Sequence, residues 1–176
     1  MGRALLRLCR EESLGCVVVA AVARQVPDDA GVPGFASADL AQVPEFDVAI
    51  DFSLPEGFDA VLDLCTSRNA ALVSGTTGLS AAQQASMDAA VKQVPLLWAS
   101  NFSLGVAALH ALVAQAAKYL PGWDCDIIEA HHVHKQDAPS GTALTLGASA
   151  QANGATPRYA SIRAGDIVGE HVVQFT

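Results

Sequence analysis

Aromatic side chains are scarce. They make up 6% of the 176 residues, so a core has to be built mainly from Ala, Val and Leu. Charged residues are also few, at 16% against 51% hydrophobic, which excludes a long disordered chain. Positive charge is scarcer still: 10 Lys and Arg face 18 Asp and Glu, for a net charge of −8 and a pI near 4.9. Duplex-binding modules present a basic surface, so that class is excluded. No apolar run approaches the roughly 18 residues that a membrane-spanning helix needs. The N-terminus, Met1-Gly2-Arg3, lacks the apolar stretch of a signal peptide. Cys9, Cys16, Cys65 and Cys125 form no CxxC pair, which reads as free and mostly buried thiols. These absences together predict a cytoplasmic protein. Gly and Pro, at 14 and 8, are too few for a collagen-like or low-complexity chain. The length suits one compact domain, or one and a half.

What is present alternates between two kinds of segment. Ala4 to Glu12 reads as a helix with Leu5, Leu6, Leu8 and Cys9 on its apolar side, stopped by Gly15. Cys16 to Val22 is an unbroken Val-rich run, as expected of a parallel strand buried on both faces. A loop through Pro27, Gly31, Pro33 and Gly34 leads to a second short strand, Phe46 to Phe52. Ser53 stands where an N-cap belongs and Pro55 in the first turn of a helix running to Ser67. A strand from Ala71 to Ser74 follows. Ser80 and Gln83 form a capping box opening a helix to Lys92, then come a strand from Val94 to Ala99 and a helix from Gly105 to Leu120. Strands alternating with helices at this spacing predict βαβ units and a doubly wound parallel sheet. The pattern changes after Trp123: strand Asp126 to His132, helix Ser140 to Ala152, strands Tyr159 to Ala164 and Glu170 to Thr176. The chain is therefore divided into residues 1–121, an α/β domain, and residues 122–176, a short α+β domain.

In open α/β sheets ligands bind beyond the carboxyl ends of the strands. Arg24, Asp51 to Ser53, Gly75 to Gly78 and Ser100 to Ser103 fall at those ends, as a rim that could line a cofactor site. No GxGxxG follows a strand, so the usual dinucleotide fingerprint is missing. The densest cluster is Glu129-Ala130-His131-His132-Val133-His134-Lys135-Gln136-Asp137-Ala138-Pro139-Ser140-Gly141-Thr142, which holds three of the five histidines and one of three lysines. Pro139 to Thr142 opens a helix whose free N–H groups and dipole attract anions. Cations converging on a helix N-terminus suggest a pocket for a carboxylated or phosphorylated small molecule. The His-His-x-His run suggests zinc, but no Cys, Asp or Glu completes a catalytic ligand spacing, and no metal is expected. Ser140-Gly141 is not the GxSxG elbow of a serine nucleophile. A polar loop before a capped helix remains open as the purely structural alternative. His110 reads as a packed or surface histidine, and Glu170 and His171 carry no clear signal.

The segment EAHHVHKQDAPSGTA from Glu129 closely resembles the signature of the bacterial dihydrodipicolinate reductase family. DFSLPEG from Asp51, SGTTG from Ser74, ASNFSLGV from Ala99 and RAGDIVGEH from Arg163 agree with it, so the resemblance covers nearly the whole chain. It implies a Rossmann-like domain for NADPH or NADH, and a substrate domain whose sheet builds a homotetramer. It implies reduction of 4-hydroxy-tetrahydrodipicolinate in lysine and diaminopimelate biosynthesis. By this resemblance His131 is the acid/base residue and Lys135 the proton donor. His132 contacts substrate, and Gly141 and Thr142 hold a substrate carboxylate. Gly75, Thr76 and Thr77, with Ala99, Ser100, Asn101 and Phe102, match segments that contact the dinucleotide. Arg24 follows the strand at Val22, with Ala23 where relatives often have Glu, so Arg24 is placed to pair the 2′-phosphate of NADPH.

The departures from the family pattern are equally specific. Met1-Gly2-Arg3 matches only the end of the family's GxxGxMG phosphate loop, which leaves the first strand and the pyrophosphate site outside the chain. The loop between Gly154 and Arg163 is short, and Thr176 precedes the family's last strands. The resemblance therefore implies a chain truncated at both ends. Two rival functions stay open at this level: a binding or oligomerisation module without catalysis, and another two-domain nicotinamide dehydrogenase. An aspartate-semialdehyde dehydrogenase would need a catalytic cysteine, and no cysteine lies in the motif.

Overall fold

Short Val-, Leu- and Ile-rich runs become strands where a neighbouring strand completes the hydrogen-bond ladder. A computed structural model describes residues 1–11, 15–26 and 30–176. Contacts divide it into two units, Met1–Ala99 and Ser100–Thr176. The expected helix end at Glu12 and the loop position Pro27 lie outside the described residues.

The first unit holds α1 (Gly2–Arg10), β1 (Ala21–Val22), β2 (Gly34–Phe35), a 3-10 segment (Ser37–Gln42), β3 (Val48–Asp51), α2 (Pro55–Arg68), β4 (Ala71–Ser74), α3 (Ala81–Ala90) and β5 (Leu96–Trp98). All its strand pairs are parallel, as two ladders, β1-β2 and β3-β4-β5. The expected strand over Cys16 to Val22 contracts to Ala21–Val22, and Val17 is 87% exposed. The reason is the ladder: among the described residues β2 is the strand beside β1, and its two residues pair only Ala21 and Val22.

Pro55 occupies the first turn of α2, where its missing N–H is not needed. The cap residue is Leu54, not Ser53, whose hydroxyl instead donates to Leu54 O at 3.2 Å. Phe58, Leu62 and Cys65 of α2 pack on Leu72, Leu79 and Ala90. Phe58 is fully buried, which contributes about 2 to 3 kcal/mol, so one aromatic joins the aliphatic core. The capping box of α3 forms as expected: Ser80 Oγ accepts from Gln83 N at 3.2 Å, and Gln83 Oε1 accepts from Ser80 N at 3.0 Å.

The second unit holds α4 (Leu104–Tyr119), β6 (Cys125–His131), α5 (Gly141–Ala152), β7 (Pro157–Arg163) and β8 (Glu170–Phe175). Strand β6 lies centrally, parallel to β7 and antiparallel to β8. The two units part at Ala99, not at residue 121. Val113 of α4 shares a core with Cys125, Ile127, Ala143, Leu146 and Ala150, so the helix belongs with the strands after it. Pro121-Gly122 ends a helix without ending a unit.

Candidate active site

Period-two alternation sends Cys125, Ile127, Glu129 and His131 to one face of β6. The first two are fully buried. Glu129 and His131 continue that buried face toward the strand's carboxyl end, at 1% and 8% exposure. A carboxylate there needs partners, and it has several. Arg163 of β7 clamps it with Nη2 to Oε1 at 2.7 Å and Nη1 to Oε2 at 2.8 Å. Ser140 N donates to Oε1 at 3.3 Å, and His131 Nδ1 lies 2.5 Å from Oε2. Burial pushes the Glu129 carboxyl up, but bonds from Arg163, Ser161 and His131 outweigh it and hold it at about 2.

Beyond His131 the strand stops and the chain turns. Lys135 N donates to His132 O at 3.1 Å, which brings Lys135 back beside the strand end. Its Nζ pairs with Asp137 Oδ1 at 2.8 Å. Burial raises the Asp137 carboxyl, yet the Lys135 ammonium wins and keeps it below the usual carboxylate range. His132 and His134 have ring centroids 6.2 Å apart. His131 is held instead on Glu129 and meets the ring of His171 edge-on at 5.2 Å, so the three motif histidines do not converge on one point.

Ser140 caps α5, its Oγ accepting from Ala143 N at 3.2 Å and lying 3.1 Å from His171 Nε2. Burial, and then the nearby His131, lower the His171 pKa below that of a free histidine. Asn101 Nδ2 donates to Thr142 Oγ1 at 3.1 Å, which leaves the Thr142 hydroxyl hydrogen for another acceptor. A Cβ added at Gly141 would meet only Ser100 Cβ at 3.8 Å, an ordinary contact. Internal packing therefore does not demand glycine there. Two buried side-chain atoms among the described residues have no hydrogen-bond partner, His132 Nδ1 and Arg163 Nε. Both belong to this cluster.

The sequence-predicted His131, His132, Lys135, Gly141 and Thr142 thus gather at the end of β6 and the start of α5, with Ser100 and Asn101 against that helix. Phe102, just before α4, is exposed. Sequence reasoning assigns no role to Glu129, Arg163 or His171, and reads Ser140 as the cap of the helix that opens in the Pro139 to Thr142 turn. For Glu129 a signal existed: it precedes His131 by two positions and follows the apolar Cys125 and Ile127, hence on the same face.

Arg24, Gly75, Thr76, Thr77 and Ala99 lie in the first unit. Arg24 is exposed just beyond β1. At the carboxyl ends of β3 and β4, Asp51 accepts from Ser53 N at 2.9 Å, Ser74 Oγ at 2.9 Å and Thr76 Oγ1 at 2.7 Å. Trp98 Nε1 donates to Thr76 O at 2.8 Å. With the Thr76 side chain turned inward, Thr77 and Gly78 are left exposed. Gly75 has no room for a side chain, since a Cβ would strike the Phe52 ring. A pinned, glycine-containing turn at the ends of parallel strands fits a dinucleotide.

A parallel-stranded α/β unit with such a rim, followed by a mixed-sheet unit with cations beside a capped helix, is compatible with a two-domain nicotinamide-dependent reductase, and comparison with known proteins establishes that class. Residues 1–102 match dihydrodipicolinate reductase, N-terminus, and residues 105–176 match dihydrodipicolinate reductase, C-terminus. The chain belongs to the dihydrodipicolinate reductase family, whose members use NADPH or NADH. It is 62% identical over 179 residues to the 4-hydroxy-tetrahydrodipicolinate reductase of Stenotrophomonas maltophilia, covering 100% of this chain and 75% of that protein. The enzyme of the same name from Xanthomonas campestris pv. campestris is 63% identical over 180 residues, with the same coverage of both chains. Among solved structures, dipicolinate-bound dihydrodipicolinate reductase from Paenisporosarcina sp. TG-14 shares the fold. The TM-score is 0.69 at 24% identity, over 90% of this chain and 73% of that one.

Proposed function

We propose that this chain reduces 4-hydroxy-tetrahydrodipicolinate to tetrahydrodipicolinate with NADPH or NADH, in the cytoplasm, using the β6–α5 cluster as its substrate site. The reduced nicotinamide, when bound, supplies a hydride. The substrate ring then carries negative charge that an acid must quench. Lys135 or His131 delivers that proton, an effect typically worth about 10² to 10⁴ in rate. His132, the Thr142 hydroxyl and the N-terminus of α5 at Gly141 and Thr142, where the Gly141 N–H also bonds the Asp137 carboxylate, receive the substrate carboxylates. Gly75 to Thr77 and Ala99 to Phe102 hold the dinucleotide, and Arg24 faces its 2′-phosphate.

The observation that carries this reading is the pair of buried atoms without partners, His132 Nδ1 and Arg163 Nε, in the cluster that also holds Lys135. Buried polar atoms are almost always satisfied, so an orphan on each of these two residues favours a polar ligand beside the strand end that carries them. The sheet's other face presents Ile128, Ala160, Ile162 and Val172, of which Ile162 and Val172 are 49% and 55% exposed. That face supports assembly into a homotetramer, which sedimentation of the chain tests by its mass.

Titration with pyridine-2,6-dicarboxylate tests the substrate site. Thr142→Val keeps the shape and removes one donor to a charged group. Affinity should fall by about 1 to 3 kcal/mol, with the melting temperature little changed. Binding as tight as in the parent would reduce Pro139 to Thr142 to a helix cap.

A further inference from the structure

We propose that Glu129 is a positioning residue that fixes the orientation and tautomer of His131, directing the Nε2 edge of that ring toward the reaction. This rests on the proposed role of His131 as acid/base. The carboxylate is almost fully buried, at 1% exposure, and lies on the same face of β6 as the imidazole. Its Oε2 meets His131 Nδ1 at 2.5 Å. A carboxylate only accepts hydrogen bonds, so Nδ1 carries the hydrogen and Nε2 is the nitrogen left to exchange a proton with substrate.

Three further contacts make that arrangement rigid. Arg163 holds both carboxylate oxygens from the neighbouring strand, and its register places it directly opposite His131. Ser140 N ties Oε1 to the N-terminus of α5. Glu129 therefore joins the acid/base residue to the turn proposed to hold the carboxylate. The ring's second face is set by His171, which pairs with Glu129 across β8. Finally, Gly169 leaves the Nε2 edge clear, since a Cβ there would lie 3.0 Å from Nε2. The low pKa of Glu129 means that it stays an acceptor through neutral pH.

Glu129→Gln discriminates positioning from mere packing. The two side chains have the same shape. Oε1 takes two donors, Arg163 Nη2 and Ser140 N, so the amide carbonyl keeps that place and the NH₂ group falls at Oε2, toward His131, at the cost of the Arg163 Nη1 bond. Nδ1 must then accept, and the proton moves to Nε2. Nitrogen NMR of the 176-residue chain with ¹⁵N-labelled histidine reads this directly. The His131 signals are assigned by their loss in His131→Gln. In the neutral ring the parent should show a protonated Nδ1 and a bare Nε2, and Glu129→Gln should reverse them.

A parent ring protonated at Nε2 overturns the proposal without any variant. An unchanged tautomer in Glu129→Gln does the same. In turnover, Glu129→Gln should lower kcat about 10- to 100-fold, the usual effect of removing a supporting partner, while KM changes little. Parental kcat in Glu129→Gln, alongside a strong loss in His131→Gln, sinks the positioning role alone. Parental kcat in His131→Gln sinks the acid/base assignment instead, and leaves the tautomer result standing.

Discussion

At Glu129, burial and charge pull in opposite directions. Burial penalises the carboxylate, yet Arg163, Ser161 and His131 hold its pKa near 2, below the roughly 4.3 of a free glutamate. The sign of the linkage follows. A carboxyl with a depressed folded pKa adds stability that is complete above its unfolded pKa, and that is lost as pH falls through the folded one. Stability of the parent should therefore drop between about pH 4.5 and pH 2 partly through Glu129. In Glu129→Gln the dependence over that window should be shallower, as measured by urea unfolding at a series of pH values. Equal slopes in the two proteins would show that the carboxylate is not held by its partners. Reading the sequence placed His131, Lys135, Gly141 and Thr142 in one site because they fall within a single short segment. Arg163 carried no such signal, since it meets Glu129 from 34 positions away and only strand register brings it there.

Helices α3 and α5 both start at a serine cap, but in different surroundings. Ser80 is exposed and shares its work with Gln83. Ser140 is buried at 2% exposure and also meets His171 Nε2. Ser80→Ala should cost about 1 kcal/mol, a usual value for a lost cap. Ser140→Ala should cost more, because it also removes the partner of a half-buried histidine nitrogen. Thermal unfolding of both variants measures the order, and equal losses would place His171 outside the capping network. Elements bounded by strong punctuation were readable in advance: β4 runs from Ala71 to Ser74 as expected, stopped by Gly75, and the Ser80–Gln83 box opens α3. The Val-rich run from Cys16 was not, because apolar composition states burial preference while a strand also needs a ladder partner. β2 and the 3-10 segment after it carry too few residues for any periodicity.

Over the whole molecule, two units carry two tasks. The first is a set of parallel βα repeats whose strand ends are pinned by Asp51, and the second sets cations and a capped helix around a buried carboxylate. On the proposed reading, hydride supply falls mainly to the first unit, with Ser100 to Phe102 of the second, and proton supply with carboxylate binding falls to the second. Its boundary was misplaced in the sequence reading because α4 is joined to the second unit by packing, which leaves no punctuation in the chain. The proton-supply claim is tested most directly by coenzyme oxidation in the presence of the product of dihydrodipicolinate synthase, followed for the parent, Lys135→Ala and His131→Gln. The parent should oxidise NADPH only when that substrate is supplied. Each variant should lose about 10²- to 10⁴-fold in turnover with its circular dichroism unchanged, as expected for a lost proton donor. Near-parental turnover in both folded variants, or oxidation independent of substrate, would contradict the account.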